Sequence, residues 1–221
     1  MSFGLSHGRK LDPGEHGITR EQLPPHDAGD FDPRTLFNRP DHRLEIEIGS
    51  GKGTFLAQQA SLEPGTNFLG IEWTGEFQRY AADRVRRHGL ENVRVLHDDA
   101  SEFIRYWCPA GIVDVIHLYF SDPWPKSRHH KRRVIQTESL VQFHRVLVPG
   151  GLVHVVTDHD QLWDWCVDHV DAASGLFMKL EFQPPGSAGE GEIIGTNFER
   201  KYRREGRPFH AMTLRKKPDA T

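Results

Sequence analysis

The sequence predicts an α/β protein: a doubly wound, mostly parallel sheet with helices on both faces. Three observations carry this. Strand-sized apolar runs alternate with helical patterns from Leu44 onward. No apolar run reaches the ~20 residues that a membrane-spanning helix needs. Each strand run ends in a loop or helix start that carries an acidic residue, at Glu47–Gly53, Glu72, Asp98-Asp99, Ser121–Lys126 and Thr157–Asp160. Right-handed crossovers make such an alternation a doubly wound sheet, and ligands then bind at the carboxyl ends of its strands.

The elements follow in order. Leu44–Ile48 is a short apolar strand that runs into Gly49, Gly51 and Gly53. Thr54–Ala60 reads as a helix and Asn67–Glu72 as the second strand. Phe77, Tyr80, Ala81, Arg84 and Val85 recur at a spacing of three and four, so 75–88 is a helix. Val93–Leu96 is a third strand. Ser101–Trp107 is a short helix that stops before Pro109. Ile112–Tyr119, rich in Val and Ile, is a buried strand. Val134–Leu147 is a helix that Pro149-Gly150-Gly151 terminates. Leu152–Val156 is a fifth strand, and Leu162, Trp165, Cys166, Val170 and Ala173 form one helical stripe. Phe177–Phe182 and Pro208–Arg215 read as two final strands, with a loop between Pro184 and Gly195. Residues 1–43 hold five Gly and five Pro without a sustained period, which predicts an irregular N-terminal arm before a single domain spanning 44–221.

Composition excludes several classes. A chain of 221 residues is one domain of ordinary size. Its 28 Lys and Arg against 31 Asp and Glu give a net charge of −3, so there is no all-over basic coat. Two cysteines, Cys108 and Cys166, allow neither a disulfide framework nor a Cys-rich zinc site and predict buried thiols in a cytoplasmic protein. The N-terminus has no apolar segment of the kind that directs secretion. The His129-His130 pair has no carboxylate or cysteine at ligand spacing, so no metal is expected.

Three ligands compete for the loop Glu47-Ile48-Gly49-Ser50-Gly51-Lys52-Gly53. A triphosphate loop needs G-x-x-x-x-G-K-[ST], but Ile46 stands where the first glycine belongs and Gly53 follows Lys52. A dinucleotide loop needs G-x-G-x-x-G, but Thr54 takes the third glycine position. S-adenosylmethionine has a sulfonium, an amine and a ribose, and acids near the loop suit all three. Glu72, ending the second strand, fits a ribose acceptor; its plainer reading is a solvated strand end. Asp99 fits an adenine amino group, and one of Asp98 and Asp99 caps the helix that follows.

Ser121-Asp122-Pro123-Trp124-Pro125-Lys126 is stiffened by two prolines. An acid beside an aromatic plane cradles a flat nitrogen heterocycle; the plainer reading makes Trp124 a core plug. The continuation to Arg133 holds five Lys or Arg, two His and no acid in eight residues. A second cluster, from Thr196 to Lys217, counts eight basic residues against two acidic. Patches of this kind contact nucleic-acid phosphates.

The stretch Glu45–Gly53, the strand end Gly70-Ile71-Glu72, the segment Asp122–Arg133 (DPWPKSRHHKRR), Thr157-Asp158 and Thr196–Lys201 (TNFERK) resemble the bacterial tRNA (guanine-N7)-methyltransferases. The resemblance covers Leu44 to Arg215. It implies the class I S-adenosylmethionine-dependent methyltransferase fold, S-adenosylmethionine as cofactor, and tRNA as substrate, methylated at guanine 46 of the variable loop. It also implies a cytoplasmic enzyme without metal or membrane, acting as a monomer or homodimer. Its cofactor contacts fall on Glu47, Gly49, Gly51, Glu72, Asp99 and Asp122, with Asp122 as the catalytic acid. Its substrate contacts fall on Lys126, Asp158, Thr196, Asn197, Phe198 and Glu199. Arg128, Lys131, Arg132 and Arg133 are then expected on RNA phosphates. Asp158 is expected to bind the guanine or orient Lys126, its plainer reading being a helix cap shared with Asp160. The alternatives are an S-adenosylmethionine enzyme acting on another RNA, a protein or a small molecule, a nicotinamide-dependent oxidoreductase, and a non-catalytic RNA-binding protein.

Overall fold

A computed structural model describes residues 10–28 and 31–218. Eight strands form one sheet: β1 (Gly17–Thr19), β2 (Arg43–Ile48), β3 (Thr66–Glu72), β4 (Val93–His97), β5 (Val113–Tyr119), β6 (Leu147–Thr157), β7 (Phe177–Leu180) and β8 (His210–Lys216). Their spatial order is β1-β4-β3-β2-β5-β6-β8-β7. β1 to β6 pair in parallel, whereas β8 is antiparallel to both β6 and β7. The helices are α1 (Thr54–Leu62), α2 (Gly75–Arg87), α3 (Ala100–Tyr106), α4 (Thr137–Val146), α5 (Asp160–Ala172) and α6 (Asn197–Arg204). The strand order reverses between β2 and β5, which is where an open α/β sheet opens its ligand crevice.

Both faces of the sheet are covered, each by different means. On one face α3, α4 and α5 bury Phe103, Leu140, Phe143, Leu162 and Cys166 against β2, β5 and β6. On the other, α1 and α2 press Leu56, Ala60, Ala81 and Val85 onto β3 and β4. Among the described residues, no helix beyond α1 covers β5 and β6 on that face. A coil carrying Phe182, Ile193 and Ile194 closes it over Phe55, Tyr119 and Val156. Cys108 and Cys166 are both buried and neither forms a disulfide, and burial pushes Cys166 up to about 12.

Three elements depart from the sequence reading. Within the segment read as an irregular arm, the described residues make short 3-10 turns and β1, which adds a parallel edge to β4. Ile18, Leu23 and Phe37 join the core, so apolar residues too sparse to show a period still find burial. Residues 1–9 of that segment lie outside the described residues, as do 29–30 and 219–221. The strand after Pro149-Gly150-Gly151 begins earlier than expected. β6 starts at Leu147, pairs there with Val113 and resumes at Leu152 opposite Val115, so the Pro-Gly-Gly is carried as a bulge. Finally, 197–204 is a helix that composition alone did not reveal. Among the described residues no helix is long and apolar enough to cross a membrane.

Candidate active site

The carboxyl end of β2 turns through glycines whose backbone no side chain tolerates cheaply. Gly49, Gly51 and Gly53 have φ of 74°, 53° and 63°. Gly49 N–H donates to the Ile71 carbonyl at 2.8 Å, and Gly51 N–H donates to Glu72 Oε2 at 2.8 Å. Glu72 Oε1 accepts from Thr74 N–H at 2.8 Å. Glu72 is therefore buried and braces the glycine loop, which corrects its reading as a solvated strand end. Lys52 lies over the rings of Phe77 and Tyr80 rather than along the loop, as a phosphate-binding lysine would.

Glu47 and Ser50 test whether the loop fits S-adenosylmethionine. Glu47 is buried, and its Oε2 has no hydrogen-bond partner; neither has the buried Ser50 Oγ. Burial, with Glu72 nearby, pushes the Glu47 carboxyl up to about 8. A buried acid without a donor, in a loop whose lysine points away, suits an ammonium or sulfonium and not a phosphate. The residues fit the cofactor.

Behind Glu47 on the same sheet face runs a polar chain. Glu45 Oε2 meets His117 Nε2 at 2.8 Å, and His117 Nδ1 meets the Tyr119 hydroxyl at 2.7 Å. The His154 ring stacks on His117 at 5.6 Å, and its Nδ1 meets Thr213 Oγ1 at 2.9 Å. Burial, with His117 beside it, lowers His154 to about 3. Burial raises Tyr119, and the Glu47 and Glu45 carboxyls add to it.

Asp98 and Asp99 divide their tasks. Asp99 caps α3, its Oδ1 accepting from the N–H groups of Ser101 and Glu102 at 2.8 and 3.2 Å. Asp98 is buried and pairs with Arg20, which also reaches Glu102 and lies over Trp107. Sequence reasoning missed Arg20, because nothing local marks it as the partner of a residue 78 positions away.

The segment after β5 is strained as well as stiff. Phe120 and Trp124 take φ of 54° and 42°, values uncommon outside glycine. Asp122, between them, is exposed. Trp124 is half-buried, not a core plug: His129 stacks parallel to it at 5.8 Å and the Arg132 guanidinium lies 4.9 Å from its ring centre. Arg133 is a correction. It is 2% exposed, donates from Nε to the Pro123 carbonyl at 2.9 Å and stacks on Trp165, so it anchors the loop from inside and cannot meet a phosphate. Arg128, Lys131 and Arg132 remain exposed on a 3-10 turn spanning Ser127–Arg132, as does Lys126 just before it.

α6 brings the last predicted segment to the site. Thr196 caps it, its Oγ1 accepting from Glu199 N–H at 3.2 Å. Asn197 and Phe198 are exposed, and the Phe198 ring reaches Gly51, where an added Cβ would meet it at 3.8 Å. Glu199 is a second correction. Its carboxylate is fully buried and accepts from the N–H groups of Ile193, Ile194 and Gly195 at 2.6–2.8 Å and from Arg203. Burial raises its pKa, but these donors outweigh that and leave it below the usual carboxylate range. Glu199 shapes the loop and has no face left for substrate. Asp158 is 11% exposed and pairs with Arg207 at 2.6 Å, while His159 caps α5, so neither the shared cap nor an ion pair to Lys126 is present.

A mostly parallel sheet with an acid-lined glycine loop at its switch point is the architecture of the Rossmann-like methyltransferases. A methyltransferase family model, described as "Putative methyltransferase", matches residues 41–212. The tRNA (guanine-N(7)-)-methyltransferase of Nitrobacter hamburgensis is 34% identical, over 99% of this chain and 87% of its own length. That of Rhizobium johnstonii is 37% identical over 82% of this chain and 78% of its own. The chain belongs to the tRNA (guanine-N(7)-)-methyltransferase family. Solved structures share the fold alone. The aminoglycoside resistance methyltransferase NpmB1 is 18% identical with a TM-score of 0.57, over 79% of this chain and 87% of its own. The [4+2]-cyclase SpnF is 16% identical with a TM-score of 0.56, over 80% and 76%.

Proposed function

We propose that this chain transfers a methyl group from S-adenosylmethionine to N7 of a guanine in tRNA, at position 46 of the variable loop, in the cytoplasm. The observation that carries this is the family relationship across nearly the whole chain to proteins named for that reaction. The site supports it: an acid-lined glycine loop, an exposed Asp122 after β5, and an exposed basic turn beside it.

The cofactor supplies a methyl group on a positively charged sulfur. Guanine N7 carries a free lone pair, so no proton leaves before attack and no general base is needed. A guanine methylated at N7 carries the positive charge, which the acids of this chain would have to accommodate. The work left to the chain is alignment and charge stabilisation. Asp122 positions the guanine and favours the charge developing on it. Glu47 holds the cofactor amine, Glu72 its ribose, and Asp99 the adenine. Lys126, Arg128, Lys131 and Arg132 hold phosphates, and the guanine leaves its stack to enter.

The test is a methyl transfer assay with an unmodified tRNA transcript and a second one carrying adenine at the variable-loop guanine. Mass spectrometry of the digest reads 7-methylguanosine. Product from the first alone is expected. Product from both overturns the position and keeps the chemistry. Product from neither, with tight tRNA binding, supports a non-catalytic RNA-binding protein instead.

A further inference from the structure

Arg207 makes an unusual set of contacts. Its Nη1 donates to Asp158 Oδ2 at 2.6 Å, and its guanidinium lies 4.1 Å from the ring centre of Tyr202 on α6. Phe120 and Phe198 flank the same ring at 6.0 and 6.1 Å. Burial raises Tyr202, and among the charges acting on it are Asp158 and Asp122. Through Arg207 the ring is joined to Asp158, and through Phe120 it adjoins the segment that carries Asp122. Arg207 is the solvent-side member of the pair, 42% exposed against 11% for Asp158, and Glu205 offers it a second partner at 2.7 Å.

A guanidinium and the N1–C2–N2 edge of guanine are the same chemical fragment. Both are planar, and both present adjacent N–H donors that match a carboxylate. Both also lie flat on an aromatic ring, and a guanine methylated at N7 carries positive charge as Arg207 does. Adenine has neither the N1–H nor the 2-amino group. With a carboxylate on the N1 edge, N7 lies on the opposite edge of the base, free to be attacked from another side.

We propose that Tyr202 and Asp158 form the subsite for the target base, with Tyr202 as the ring on which the base stacks, and that Arg207 fills this subsite until a guanine displaces it. The proposal rests on the guanine-N7 reading above and adds to it Tyr202, the placeholder and the edge by which guanine is chosen.

The experiment uses the full chain with S-adenosylhomocysteine bound and measures guanosine 5′-monophosphate binding by calorimetry. Adenosine 5′-monophosphate is the control. Arg207→Ala empties the subsite, so it binds the guanine nucleotide about tenfold more tightly than wild type and the adenine nucleotide no better. Adding Tyr202→Ala or Asp158→Asn to Arg207→Ala abolishes the gain. An Arg207 that only tethered α6 to β6 would give no gain on removal, and that result overturns the proposal. An equal gain for both nucleotides overturns it too. S-adenosylhomocysteine affinity within about twofold of wild type shows each variant to be folded; Arg207→Gln replaces Arg207→Ala if the latter fails this check. Wild-type methylation of the tRNA transcript is read separately. A chain that methylates tRNA but shows no gain fails only this proposal; one that methylates nothing fails the function itself.

Discussion

Glu47 is an acid that the folded chain encloses with no donor on Oε2. Its carboxyl sits near 8 in the fold against an ordinary 4.5, so between those values the folded chain keeps a proton that the unfolded chain releases. The contribution of Glu47 to the stability of the cofactor-free protein then falls as pH rises from about 5 to about 8 and levels off beyond. His154 works the other way: held near 3, it favours the fold as pH rises toward 6.5. Comparing wild type with Glu47→Gln cancels the His154 part. The melting temperature of wild type, relative to Glu47→Gln, should drop across that window; parallel curves would show that Glu47 titrates normally. Asp122→Ala tests the other end of the site. It should lower kcat about 100-fold while the cofactor dissociation constant moves much less; undiminished turnover would remove the positioning role. The acids at strand ends were legible in the sequence, because a parallel sheet puts its ligand there. Arg133 was not. In the run 126–133 nothing in composition separates the one buried cation from its exposed neighbours, since that depends on Trp165 and the Pro123 carbonyl arriving from elsewhere.

At the scale of elements, the glycine loop and the α6 junction are held by different means. The loop is held by backbone geometry. Gly53→Ala would force a Cβ to 2.9 Å from Ala81 Cβ at a φ of 63°, so we expect a loss of about 2 kcal/mol together with weakened cofactor binding. The junction is held by one carboxylate. Glu199→Ala strands three buried N–H groups and should cost about 3 kcal/mol, read as an earlier urea midpoint, while Asn197→Ala leaves the midpoint unchanged. The motif at 196–199 was legible as important, but its inner residue was misread as a substrate contact. The spacing Thr-x-x-Glu is also that of a helix cap with an acid at its third position, and that signal was available in the sequence. β1 was not legible, since three residues carry no period.

At the scale of the molecule, the net charge of −3 conceals a separation of charge. Acids line the carboxyl ends of β2, β3 and β4, and exposed cations gather on the turn after β5 and on α6. Binding to tRNA should therefore weaken steeply with salt, while S-adenosylhomocysteine binding to the buried loop barely changes. A titration at two salt concentrations reads both; equal slopes would place the two ligands in one electrostatic environment. The alternating strand and helix runs made the sheet itself legible before any coordinate. The order of its last two strands was not, because short antiparallel strands can be added to an edge in either sequence.

That order has a bearing on synthesis. β7 leaves the ribosome before β8, yet it joins the sheet only through β8, which inserts between it and β6. Until residue 216 is available, β6 keeps a raw edge and β7 has nothing to pair with, so the nascent chain is exposed to mispairing with other chains. Asp158 lies just beyond the end of that same β6, and its partner Arg207 lies just ahead of β8. A chain interrupted before β8 thus lacks the strand that joins β7 to the sheet.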